Sequence, residues 1–266
     1  MHRQGDHLRE WYGSPALIAD PIVQSILAVL LVSLIFLTLP GIDPWFTGLF
    51  YNPKVGFPMD RLPAFTALRG LGDLAVKAIV VLLIGAMLVK IARPWRAAPI
   101  RPSHVIYLLS SLVIGPGLVV NVLFKEHWGR PRPDATAAFG GDAPFIEIWD
   151  MSDQCLNNCS FVSGEASAAI WLVAAAILLP LAWRPRARIV LCVFAILLSF
   201  NRIAFGRHFL SDVLMGWALT ALVLAVMHRL IVDKPPAWLS DEKLEAGLTQ
   251  FGWRLRGRKA TGEPGN

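Results

Sequence analysis

Charge is scarce in this sequence. Only 17% of its 266 residues are Asp, Glu, Lys or Arg, where a soluble domain carries about 25%. Hydrophobic residues make up 55%, so an ordinary water-soluble globule is excluded and a membrane protein is expected. Cysteine is scarcer still, and three residues cannot build a disulfide scaffold. Repeats of about 20–50 residues and low-complexity segments are absent, which excludes a repeat architecture. The net charge of +6 does not point to nucleic acid, because the basic residues sit in short clusters flanking apolar runs. That placement orients a chain in a bilayer.

What is present is a series of apolar stretches of spanning length, about 17–25 residues each. Six are found, at Ile22–Leu39, Leu74–Ala92, Val105–Phe124, Ser163–Trp183, Ile189–Ala204 and Ser211–Val232. The expected fold is therefore all-α: a polytopic membrane protein with six transmembrane helices over 21–232, between an N-terminal segment 1–20 and a basic tail 233–266. Residues 1–21 mix charges with Pro15 and Pro21, and the apolar run after them exceeds a signal-peptide core, so a real helix is expected rather than a cleaved leader. Arg93, Arg96 and Arg101 follow the second span, Arg184, Arg186 and Arg188 follow the fourth, and more Lys and Arg follow the sixth. The positive-inside rule then puts these connectors and both termini in the cytoplasm and the connectors 40–73, 125–162 and 205–210 on the opposite side.

Those outward connectors carry polar residues at helix ends. Lys125, Arg130 and Arg132 follow span three, Ser163, Gly164 and Glu165 open span four, Arg202 closes span five, and Arg207, His208 and Asp212 lead into span six. A charge near the bilayer core costs about 2.5–3.5 kcal/mol on insertion scales, so several at one depth need a shared anionic ligand. Phosphate fits each group. Lys125 is a point charge, Arg132 and Arg202 are planar forks, and Ser163 with Gly164 offers free N–H groups at a helix start. His208 and Asp212 are spaced i, i+4, so the carboxylate is expected to accept from one ring nitrogen and leave the other as nucleophile. A metal would need further ligands, and the nearest, His127 and Glu165, lie among cations; neither metal nor cofactor is expected.

The pattern Lys125…Arg132-Pro133, Ser163-Gly164 and Arg202…His208…Asp212 resembles the type 2 phosphatidic acid phosphatase superfamily, which extends to the vanadium haloperoxidases. The resemblance covers roughly residues 75–230 and implies that family's helical core and six-helix layout. It implies that His208 attacks phosphorus to form a phosphohistidine, that Asp212 orients it, and that Lys125, Arg132, Arg202, Ser163 and Gly164 hold the phosphate oxygens. Two positions depart from the family pattern. Glu165 stands where the family's general-acid histidine is usual, and is expected to be the acid; Asn201 replaces a serine.

The stretch DQCLNNCSFVSGEAS is most similar to the branch that removes phosphate from lipid A, especially at the 4′ position. Undecaprenyl pyrophosphate and phosphatidylglycerol phosphate are alternative substrates, and a non-catalytic lipid-phosphate binder is the alternative class; a transporter would need charges at the midplane rather than at one face. The partners implied are a lipid phosphate and the bilayer of a bacterial inner membrane, with the active site facing the periplasm. Cys155 and Cys159 would form a disulfide on that oxidising side. Arg130 and Arg207 read as extra cations for anionic headgroups, the aromatic loop 41–73 as an interfacial segment, and Ala237–Trp253 as a short amphipathic helix.

Overall fold

Asp20 opens the first helix by accepting from the Ile22 N–H at 2.9 Å, with Pro21 in the first helical turn, where its missing N–H goes unmissed. This computed structural model describes residues 19–257, so the expected segment 1–20 lies almost wholly outside the described residues. In chain order the main helices are α1 (Pro21–Thr38), α2 (Ile42–Gly48), α3 (Pro63–Ala92), α4 (Pro102–Phe124), α5 (Gly164–Ala174), α6 (Arg184–Ala204), α7 (Leu210–His228) and α8 (Asp241–Leu255). Among the described residues the regular structure is all helical, apart from two isolated β-bridges. Pro116 lies inside α4, and from Val113 onward that helix widens to π winding, which accommodates a residue with no N–H to give.

Among the described residues five helices are long and apolar enough to cross a bilayer: Pro21–Thr38, Pro63–Ala92, Pro102–Phe124, Leu181–Ala204 and Leu210–Asp233. The span expected at Ser163–Trp183 differs. It is the 11-residue α5 with a four-residue 3-10 continuation, Ala175–Leu178, cut off before Pro180. Its position explains its length. α5 is packed among α4, α6 and α7, and Trp171 is fully buried with its indole N–H donating to the Leu108 carbonyl at 2.9 Å. A helix walled by other helices need not match the lipid thickness itself. The outer helices do face lipid: Leu30, Val81 and Val190 are 59%, 69% and 67% exposed, an apolar surface that water would not tolerate over such an area.

The expected tail helix is α8, and it is docked on the bundle. Asp241 accepts from the Ser103 N–H at the start of α4 and from Arg101. Lys90, 3% exposed, meets Glu245 at 3.2 Å, and Trp253 lies against Trp95. Gly252 makes the close approach possible, since a Cβ there would stand 2.5 Å from the Ile91 carbonyl oxygen. Gly252→Val should therefore lift α8 and destabilise the protein by about 1–3 kcal/mol. A lower thermal midpoint in detergent, with faster proteolysis within 237–257, would show it.

Candidate active site

The polar groups foreseen at separate helix ends meet at one end of the bundle, opposite α8. Gly206, at φ +65°, turns the chain between α6 and α7; the Phe57 ring would be 2.3 Å from a Cβ there, so both the angle and the space require glycine. The turn delivers His208 into a buried position, 2% exposed. Its Nδ1 lies 2.8 Å from the Ser160 carbonyl oxygen. A carbonyl can only accept, so Nδ1 carries the proton and Nε2 keeps its lone pair.

Asp212 is not the direct partner of the ring. Its nearest oxygen is 3.9 Å from His208 Nδ1, beyond hydrogen-bond reach, in place of the direct bond that the i, i+4 spacing led us to expect. The reason is that both oxygens are already engaged. Oδ1 accepts from Arg130 at 2.5 Å, and Oδ2 accepts from the Ser160 hydroxyl at 2.5 Å and the Phe209 N–H at 2.8 Å. Asp212 thus fixes Ser160, and the carbonyl of Ser160 fixes His208.

Arg130 is likewise not a surface cation. It is wholly buried, with Nε donating to the Ile146 carbonyl, one terminal nitrogen to Ser211 and Asp212, and the other to Asp43 at 2.9 Å. The Phe209 ring lies 4.7 Å from the guanidinium carbon. Asp43, on α2, also accepts from the N–H and hydroxyl of Ser211. Burial pushes its carboxyl above the usual range, against the pull of Arg130. Asp43, Ser160 and Ser211 escaped sequence reasoning. A lone aspartate in an aromatic loop and two serines carry no spacing signal. In that loop Phe57 is buried against Phe139 and Phe209, whereas Trp45 is exposed at the surface.

The phosphate-binding candidates gather beside His208. Ser163 caps α5, its hydroxyl accepting from the Ala166 N–H. A Cβ on Gly164 would meet the Asn121 side-chain oxygen at 2.9 Å and the Lys125 ammonium at 3.6 Å, so glycine lets the cation reach the helix start. Burial, with the charge of Arg132 adding to it, pulls the Lys125 ammonium down. Arg132 donates twice to the Asn158 carbonyl, at 2.8 and 3.1 Å. That carbonyl lies in the loop closed by the Cys155–Cys159 disulfide, whose Cα atoms are 5.7 Å apart. Arg207 is paired with Asp134 at 2.7 Å instead of standing free, and Asn201 still hydrogen-bonds, to the Phe65 carbonyl.

Arg202 is 5% exposed, and its Nε and one terminal nitrogen have no hydrogen-bond partner among the described residues. Buried donors left unpaired point to a ligand. Its Nε does lie 3.2 Å from Glu165 Oε2, a charge contact without hydrogen-bond alignment. The other Glu165 oxygen takes Arg69 at 3.1 Å, a residue on α3 that sequence reasoning also missed. Burial first, and then the charges of Arg202, Lys125 and Arg132, hold the His208 imidazole well below its usual range, so the ring is neutral.

Residues 104–236, which hold every one of the foreseen site residues, match the PAP2 superfamily. The chain belongs to that superfamily. A Rhizobium leguminosarum protein named lipid A 4′-phosphatase is 36% identical over 74% of this chain and 90% of its own length. Another of that name, from Francisella tularensis subsp. novicida, is 33% identical over 73% and 90%. The crystal structure of a transmembrane PAP2 type phosphatidylglycerolphosphate phosphatase from Bacillus subtilis superposes with a TM-score of 0.55, covering 82% of this chain and 98% of that one at 21% identity. That likeness shows the shared PAP2 transmembrane fold.

Arg130→Met would leave Asp43 and Asp212 as buried carboxylates without their cation. Stability should fall by about 3–5 kcal/mol, and Asp43→Asn, which keeps an acceptor toward Ser211, should lose less. Thermal unfolding of the two variants in detergent checks that order.

Proposed function

We propose that this membrane lipid phosphatase removes the 4′-phosphate of lipid A through a phosphohistidine on Nε2 of His208. The observation that carries the reading is the state of that ring: neutral, with Nδ1–H fixed on the Ser160 carbonyl and Nε2 unprotonated. In the first step the Nε2 lone pair attacks phosphorus and the bond from phosphorus to the sugar oxygen breaks. Lys125, Arg132, Arg202, the Ser163 hydroxyl and the Gly164 N–H take the charge that spreads over the phosphate oxygens. In the second step water attacks phosphorus, the P–N bond breaks, and inorganic phosphate leaves with His208 restored.

The departing sugar oxygen needs a proton, and we assign its delivery to Glu165. In the ligand-free site both its oxygens accept charge contacts from Arg69 and Arg202. An arriving phosphate takes over the unpaired donors of Arg202; the freed carboxylate then takes up a proton from solvent and presents it to the leaving oxygen. In the second step the same group accepts a proton from the attacking water.

Lipid A as substrate is supported by two relatives of that name, each matched over 90% of its own length. A bacterial inner membrane location with a periplasmic site is supported by Arg93, Arg96, Arg101, Arg184, Arg186 and Arg188, which cluster at the connectors away from His208. The phosphatase unit would then be 21–232, with 233–266 on the cytoplasmic side.

Three measurements test this reading. Purified protein, given lipid A, undecaprenyl pyrophosphate, phosphatidylglycerol phosphate and phosphatidic acid without added metal, should release phosphate fastest from lipid A, and His208→Ala should release none. Equal release by the variant would refute the nucleophile. The acid limb of kcat/KM should lie well below pH 6.5, the ordinary histidine value, because burial and three cations disfavour the imidazolium; a limb at or above 6.5 counts against a neutral His208. Glu165→Gln should slow lipid A turnover about 100-fold or more while lipid binding persists. An aryl phosphate, whose leaving group needs little protonation, should be slowed far less, and an equal loss on both would remove Glu165 from the acid role.

A further inference from the structure

α3 has 30 residues, a length of about 45 Å, whereas a bilayer core needs about 30 Å. Its apolar run begins at Leu74, so the preceding turns stand in the headgroup layer at the end of the bundle where His208 lies. Those turns carry Arg69 and Asp73, one helical turn apart on one face. Both line a cavity of about 260 Å³ together with Asn121, Lys125, Gly164 and Glu165. Leu172 and Leu198 add an apolar portion to its wall.

Asp73 is out of place for a site that takes phosphate alone. Its side chain is exposed and makes no ion pair and no hydrogen bond among the described residues, so it is free to accept from a ligand in the cavity that Lys125 also borders. A free carboxylate beside the clamp repels a phosphate dianion, and neither catalytic step uses it. It gains a purpose if the group bearing the phosphate has hydrogen-bond donors of its own. A sugar lipid does, in its ring hydroxyls and acyl-amide N–H groups, and a carboxylate accepts strongly from such donors. Arg69 supplies the complementary donors for sugar and ester oxygens, and the apolar wall suits an acyl chain.

We propose that Asp73, with Arg69, forms a sugar subsite that selects phosphorylated glycolipids over phosphorylated lipids lacking a sugar. This rests on the phosphatase reading above and names what confers its substrate preference. A charged hydrogen bond in such a setting is worth about 10- to 100-fold in kcat/KM.

The test compares full-length protein, Asp73→Ala and Asp73→Asn on lipid A and on phosphatidic acid, a phosphomonoester with no hydroxyl next to its phosphate. Asp73→Ala should lower the lipid A to phosphatidic acid ratio of kcat/KM by about 10- to 100-fold, and Asp73→Asn, which retains an acceptor, by less. Equal loss on both lipids, as misfolding would give, overturns the subsite, and so does an unchanged ratio. Parent protein without a preference for lipid A would instead overturn the substrate reading itself, and this inference with it. The two failures are thus told apart by the parent protein alone.

Discussion

A guanidinium with no exposed surface must place every donor inside the protein. Arg130 does so by joining segments far apart in sequence: Asp43 on α2, the Ile146 carbonyl in the long connector, and Ser211 and Asp212 at the start of α7. Such a cation flanked by two carboxylates is costly to bury and more costly to break, since losing one member strands the others in a low dielectric. The return is positional. Asp212, held by Arg130, holds Ser160, and Ser160 holds the ring of His208 in one tautomer. His208 is therefore located by a chain of contacts that ends on the α2 helix between the first two spans.

The cationic side of the site is governed by the opposite problem. Lys125, Arg132 and Arg202 repel one another while no anion is bound, and burial of each raises the energy further. Two features keep them in place: the carbonyl of Asn158 inside its disulfide loop and the carboxylate of Glu165. Glu165 is in this sense an internal counter-ion for the ligand-free site. On the proposed reading, rigid scaffolding on one side and mutually repelling cations on the other are what an incoming phosphate would meet, and its charge would resolve the repulsion.

Much of this was legible in the sequence because it is written in residue type and spacing. Apolar run lengths located the membrane helices, and the motif residues from Lys125 to Asp212 all come together. What failed did so for physical reasons. α5 is short because neighbouring helices replace lipid around it, and hydropathy cannot distinguish the two apolar surroundings. The i, i+4 spacing of His208 and Asp212 put them on one face, yet could not show that Arg130 and Ser160 would claim the carboxylate first. Arg130 resembled its exposed neighbours in sequence; only the fold reveals two buried aspartates around it. Asp43, Arg69 and Asp73 lie outside residues 104–236, where no motif marked them.

Glu165, which departs from the family pattern, and Arg69, which the sequence did not mark, are better understood together. A histidine at position 165 would bring no fixed negative charge, and the guanidinium of Arg69 would then face Arg202 and Arg132 with nothing between them. With glutamate there, each carboxylate oxygen meets one arginine, Arg69 at 3.1 Å and Arg202 at 3.2 Å. A cation on α3 is tolerated at the mouth of a cationic pocket because the same chain supplies an anion at the start of α5. That pairing ties α3 to the reaction centre and carries polar groups up the helix to Asp73. On the proposed reading, Glu165, which stands where the family pattern has histidine, thus also extends the site beyond the phosphate, toward the group the phosphate is attached to.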